Sequence, residues 1–271
     1  MKSLFSILVF LTLLAPVLHA QGDSSFSRIR TLNESLQDIA VDNLDNLYLL
    51  RASGQLKKVS PQGDSLAVFN DVRRYGPVTQ IDVSNPLRVL LYYQNFSTVL
   101  ILDRFLNVRS TLDLRRSNIL QVRAICLAYD NNIWLYDEIE NKLKKVDENG
   151  KVLMETPDFR LLFGEAPVPE SITEQDQLVY LYDKKLGIYV FDYYGALKNK
   201  ILIQGWDNLR VAGNSIWGTK GDSLYRYRKD LFRVYDQPLP KQFTPFQKLL
   251  FTPSRIYVMK KEELGIYNYT D

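Results

Sequence analysis

The side chains that carry most hydrolytic and metal chemistry are scarce in this sequence. It has one histidine, His19, and one cysteine, Cys126. His19 falls in an amino-terminal stretch with the form of a secretory leader. Lys2 supplies a positive start, Phe5 to Leu18 is apolar apart from Ser6, Thr12 and Pro16, and Ala20 offers a small residue before a cut. Removing residues 1–20 leaves no histidine, which excludes a Ser-His-Asp triad, a His-ligated metal and a His general base. A retained signal anchor is the alternative, although the apolar core is short for a membrane span, and no later run approaches the ~20 apolar residues needed. Oxygen donors remain. Asp38, Asp82, Glu170 and Glu174 lie nearest the segments expected to line a central axis, where carboxylates and Asn can bind calcium. They fall in three repeats of six, and another repeat offers Arg123 instead. Charged strand ends paired with neighbouring Arg or Lys are therefore expected, and no cofactor. A lone cysteine forms no internal disulfide, and Cys126, between Ile125 and Leu127, reads as a small buried apolar residue.

Gly63 to Leu66 and Gly221 to Leu224 both spell Gly-Asp-Ser-Leu, a short esterase signature. That chemistry needs a catalytic histidine and an α/β fold. Both copies sit at turns beside strands, where Gly-Asp-Ser is ordinary turn chemistry.

The elements that would position any site are set by internal repetition. Asn46-Leu47-Tyr48-Leu49, Leu56-Lys57-Lys58-Val59 and Gln62-Gly63 recur as Asn132-Ile133-Trp134-Leu135, Leu143-Lys144-Lys145-Val146 and Asn149-Gly150. Sliding that template along the chain finds inner strands centred on Ile39, Ile81, Ile125, Ile172, Leu209 and Leu249, at spacings of 42, 44, 47, 37 and 40 residues. Each unit holds four short apolar runs separated by Asn, Asp and Gly turns. Four strands per period of ~40–45 residues predict an all-β, six-bladed β-propeller of four-stranded antiparallel blades. Residues 21–271 then form a single domain with blades near 36–71, 78–114, 122–159, 169–205, 206–240 and 246–271. The last unit supplies only three strands. Residues 27–32 are expected to pair with it as the fourth, closing the ring and covering two open edges.

The strands Asp38-Ile39-Ala40-Val41-Asp42, Asn46-Leu47-Tyr48-Leu49 and Asn132-Ile133-Trp134-Leu135-Tyr136-Asp137 resemble those of NHL-repeat blades, and so do Leu56 to Val59 and Glu140 to Leu143. The resemblance implies a six-bladed propeller. It extends to scaffolds, ligand binders and a few calcium- or zinc-dependent enzymes, and the fold does not choose among them.

Function is expected in the loops. Lys plus Arg total 34 against 31 Asp plus Glu, and loss of Lys2 takes the formal charge from +3 to +2, too little for a general nucleic-acid partner. The outer-to-inner connections and the loops between second and third strands gather on one face. They carry Arg73, Arg74, Tyr75, Tyr92, Tyr93, Arg115, Arg116, Phe159, Arg160, Phe163 and Phe243, and Arg and aromatic residues dominate binding hot spots. The expectation is a secreted, non-enzymatic scaffold, periplasmic or outer-membrane-associated in a Gram-negative bacterium. It would dock a protein of the envelope as an accessory subunit of an assembly or secretion machine. The alternative is a small ligand or glycan in the central channel, with a degenerate calcium-dependent lactonase-like enzyme as its remoter form.

Overall fold

Successive residues of a strand face opposite ways, and in the second and third strands of most repeats both sets are apolar, so both faces need cover. The computed structural model, which describes residues 26–70 and 75–269, supplies it by stacking six four-stranded antiparallel sheets around an axis. Blade 1 comprises Asp38–Val41, Leu47–Leu50, Leu56–Val59 and Ser65–Phe69, and blade 2 comprises Gln80–Asn85, Arg88–Tyr93, Thr98–Asp103 and Val108–Asp113. Blade 3 comprises Val122–Leu127, Ile133–Asp137, Lys142–Val146 and Val152–Glu155; blade 4 comprises Ser171–Gln175, Leu178–Asp183, Gly187–Asp192 and Leu197–Ile201. Blade 5 comprises Asp207–Ala212, Ser215–Lys220, Ser223–Arg228 and Arg233–Pro238. Blade 6 takes Lys248–Phe251, Arg255–Met259 and Leu264–Tyr269, and Phe26–Leu32 joins as its outer strand. The closing register pairs Phe26 with Tyr269 and Leu32 with Leu264, with an irregularity between Arg28 and Arg30. Blades 2 and 4, weakest as repeats, are complete sheets. The leader and the pair Arg73-Arg74 lie outside the described residues, and no described helix is long and apolar enough to cross a membrane.

Six apolar cores fill the six wedges between blades. The second strand of blade 3 shows how one strand serves two of them. Ile133 and Leu135 pack with Leu90 and Ile101 of blade 2, while Trp134 and Tyr136 pack with Val179 and Tyr189 of blade 4. Each fully buried aliphatic or aromatic side chain contributes about 1.5–3 kcal/mol. The outer strands, with one free edge, alternate far less strictly and stay largely exposed, as Leu197–Ile201 does.

Turn chemistry repeats as well. Asp42, Asp103, Asp147 and Asp192 each use Oδ1 to accept the backbone N–H groups two and four residues on, at 2.8–2.9 Å. The residue three positions on has positive φ, which Gly150 and Gly195 accept without strain. Gly218 answers a different demand. A Cβ there would lie 2.8 Å from the Trp206 ring, which packs across the strand.

Candidate functional site

The loop face is built from connections that are hydrogen-bonded in series. Leu114 donates its N–H to the Ser97 carbonyl at 2.9 Å, Glu138 to that of Gln121 at 2.9 Å, and Phe159 to that of Asn141 at 2.9 Å. The Ser97 hydroxyl adds a bond to the Leu120 carbonyl at 3.0 Å. The loops of blades 2 and 3 and the connection that follows each are thereby held as one surface.

That surface is not the one read from the sequence. Four of the expected docking aromatics are interior. Tyr92 and Tyr93 end the second strand of blade 2 and are buried, because the strand runs two residues further than the loop reading placed it. The Tyr92 hydroxyl donates to the Val122 carbonyl at 3.2 Å, and burial pushes its pKa up to about 12. Phe159 opens the short helix Phe159–Phe163 and points into the wedge between blades 3 and 4, stacked on Phe191 with centroids 5.4 Å apart. Phe243, on the short turn Lys241–Phe243, is fully buried between Phe26 and Tyr267, at centroid distances of 5.3 and 4.6 Å. Tyr75 is half-buried with its ring 5.3 Å from that of Tyr93, and Phe163 lies 4.8 Å from Tyr189. Wedges widen away from the axis, and large rings from the connections fill them.

The arginines behave as expected of surface groups. Asp113 caps the turn Leu114–Ser117 through the Arg115 N–H at 3.2 Å and receives the Arg115 guanidinium on both oxygens, at 2.9 and 3.0 Å. Those hydrogen bonds hold the Asp113 carboxyl below its ordinary range. Arg116 extends past it with a side chain 87% exposed, its Nε 3.9 Å from Asp113. Asp158 repeats the arrangement with Arg160, capping the helix and pairing with the guanidinium. Between these cations stand apolar residues that the sequence reading passed over. Leu161 is 84% exposed, and Leu120, Ile139 and Leu162 are exposed beside it. Helical spacing holds the missed signal: Phe159 and Phe163, four apart, share the inward face, which sends Leu161 and Leu162 outward.

At the axis, the inner strands present unpaired backbone edges, and polar side chains from neighbouring blades satisfy them. Asp82 accepts the Leu127 N–H at 2.7 Å, and Gln80 accepts that of Ile125 at 3.0 Å and donates to the Arg123 carbonyl at 3.1 Å. Glu174 accepts from the Tyr129 N–H at 3.1 Å and from the Trp134 indole. Burial pushes the Glu174 carboxyl up, against those two bonds. Asn208 takes the Leu249 N–H at 3.1 Å, and Lys248 pairs with Asp38 and reaches the Ile39 carbonyl at 3.0 Å. Arg210 crosses from blade 5 to the Val41 carbonyl of blade 1 at 3.1 Å. Burial pulls its pKa down, with Asp82 opposing. Asp38, Asp82 and Glu174 thus serve as staples between blades. Among the described residues no three His, Asp, Glu or Cys side chains gather as a metal site. Cys126 is buried, and burial raises its thiol well above the ordinary value.

No protein-family profile matches the sequence, and no curated protein matches it either. Solved structures do. Virginiamycin B lyase from Staphylococcus aureus is 13% identical, with a TM-score of 0.63 over 90% of this chain and 100% of that one. A catalytically inactive histidine-to-alanine variant of that lyase with quinupristin is 11% identical, with a TM-score of 0.61 and the same coverage. The Pan2 WD40 domain of Neurospora crassa is 11% identical, with a TM-score of 0.59 over 92% of this chain and 97% of that one. At these identities the likeness is one of architecture alone, and the strand order with its closing strand makes this chain a six-bladed β-propeller.

Proposed function

We propose that this chain is a non-enzymatic binding propeller of the bacterial envelope, docking a protein partner through the joined loops of blades 2 and 3 and the connection that follows each. The observation that carries this reading is the exposed combination of Arg115, Arg116 and Arg160 with Leu120, Ile139, Leu161 and Leu162 on loops hydrogen-bonded to one another. Arginine is enriched at interfaces, and an exposed apolar patch rimmed by polar residues marks a contact site. The axis supports it from the other side. Its carboxylates are engaged in holding blades together, and a ligand in the channel would have to displace the Arg210 bridge. The lyase variant named above lost its activity with a histidine; here the one histidine is His19, within the stretch read as a leader.

Purification of the cross-linked native protein from the envelope tests the reading, with Arg116→Glu and Leu161→Asp made together. Both side chains are exposed, so the fold should survive and the cross-linked partner should be lost. The same partner recovered at the same yield from the double variant would overturn it. A mature amino terminus at Gln21 is the matching expectation for export.

A further inference from the structure

The turns that join first to second and third to fourth strands gather on the face of the ring opposite the loop face. Side chains bind these turns to one another from blade 6 through blade 1 to blade 5. Arg255 of blade 6 meets Asp45 of blade 1 at 3.6 Å, and Lys58 of blade 1 donates to the Pro86 and Arg104 carbonyls of blade 2 at 3.4 Å. Arg88 of blade 2 reaches Glu148 of blade 3 at 3.0 Å, and the Tyr193 hydroxyl of blade 4 donates to Asp130 of blade 3 at 2.5 Å. Gln175 of blade 4 donates to the Gly213 carbonyl of blade 5 at 2.7 Å. The corners of the turns are thereby fixed relative to one another.

What stands on those corners is apolar. Leu44, Leu87, Phe105 and Tyr194 each donate the backbone N–H to the Asp or Asn two residues before, at 2.8–3.0 Å, which pins the residue at the corner. All four side chains are exposed, Tyr194 to 80%. The turn itself requires nothing apolar there, as Asn149 shows in the same position after Asp147. Tyr129, Leu231 and Phe232 are exposed on the same face, and the Tyr129 ring lies 4.7 Å from that of Tyr193.

Two observations select the partner. The tips stand on separate turns, with exposed Gln62 and Asn149 among them. A protein covers a contiguous apolar patch, whereas acyl chains close around each tip separately. Exposed charges on these turns are of both signs, Arg104 and Lys151 against Asp64, Glu148 and Asp230, so neither a polyanion nor a polycation is matched. Chain direction gives the second observation. Phe26 pairs with Tyr269, and Asn268 with Arg255, so the closing strand begins on this face. Residues 19–25 separate Phe26 from the apolar stretch Phe5 to Leu18, and seven residues span at most about 25 Å. While that stretch lies in a bilayer, this is the face held close to it.

We propose that the turn face opposite the loop face is a bilayer-binding surface, with Leu44, Leu87, Phe105, Tyr194 and Phe232 inserting among lipid headgroups and Tyr129 lying at the interface. Only its orientation draws on the reading of residues 1–20 as a leader. The loop face then points away from the membrane and stays free for a protein.

Sedimentation of the chain from Gln21 with phosphatidylcholine vesicles, alone or mixed with phosphatidylglycerol, tests the proposal. Residues 26–269 supply every strand of the six blades, so removing residues 1–20 keeps the fold and takes their apolar stretch out of the measurement. Saturable binding to both vesicles is expected, because apolar tips need no anionic headgroup. Phe105→Ser with Tyr194→Ser should weaken it about tenfold or more at an unchanged melting temperature, since both side chains are exposed. Leu161→Asp, on the loop face, should leave it unchanged. Phe105→Trp should add fluorescence that brominated acyl chains quench, and Leu161→Trp should not. No sedimentation with either vesicle, equal sedimentation of the double variant, or no quenching at position 105 would each overturn the proposal. A dimer that the same double variant dissociates would overturn it too, making the face a contact between two copies. Partner capture through the loop face is read by its own variants, so either result stands without the other.

Discussion

Replacing Phe243 by alanine removes a fully buried ring from the place where the propeller closes. The ring meets Phe26 of the closing strand edge-on at 5.3 Å and Tyr267 of the neighbouring strand at 4.6 Å. Phe-to-Ala changes in a core cost about 3–5 kcal/mol, in which the transfer of the ring and the cavity left behind both count. For a domain of this size each kcal/mol lowers Tm by roughly 2–4 °C, so a drop on the order of 6–20 °C is expected. Calorimetry and urea unfolding measure it. Amide hydrogen exchange then localises it: protection should fall first in Phe26–Leu32, whose amides pair with Leu264–Tyr269. Arg116→Glu is the control, and as an exposed substitution it should stay within about 0.5 kcal/mol. The reasoning fails if Phe243→Ala melts within 1 kcal/mol of the parent, a figure typical of surface change, while partner capture is lost. Phe243 would then be a docking residue after all.

Two further outcomes follow from buried chemistry. Burial disfavours ionised Asp130, but hydrogen bonds from Lys145, Tyr193 and Asn132 outweigh that and hold its pKa at about 2. A carboxyl depressed on folding stabilises the protein above its unfolded pKa, near 3.8, and the benefit is lost as pH falls from about 4 through 2. Urea unfolding across that range should show a loss of about 2 kcal/mol that is absent in Asp130→Asn. Cys126 should resist thiol reagents in the native state and react fully in denaturant. Rapid native labelling would show that its strand is not the interior one described.

How much was legible depended on the range of the interactions. The repeat Leu-Lys-Lys-Val marked blades 1 and 3, yet nothing in it revealed that Lys58, Lys144 and Lys145 are all buried, since burial of an ammonium depends on partners elsewhere. For Lys144 those partners are Asp137 and Glu140, at 2.7 and 3.0 Å. For Lys145 the ring of Tyr193 comes from the next blade. Exposure of Arg115, Arg116 and Arg160 was legible because a side chain carrying a fixed charge on a loop stays near water. The aromatics were not, because an aromatic in a connection is equally at home in a wedge or on a surface. Asp82 and Glu174 read as candidate ligands of calcium, and the backbone edges they staple belong to other blades.

The sequence by itself determined what is local. Alternation of side chains made the strands, Asx chemistry placed the turns, and a spare strand at one end answered an open edge at the other. Tertiary structure decided the direction of every loop side chain, because that depends on the width of a wedge set by two blades at once. It sent Phe159 inward and Leu161 out.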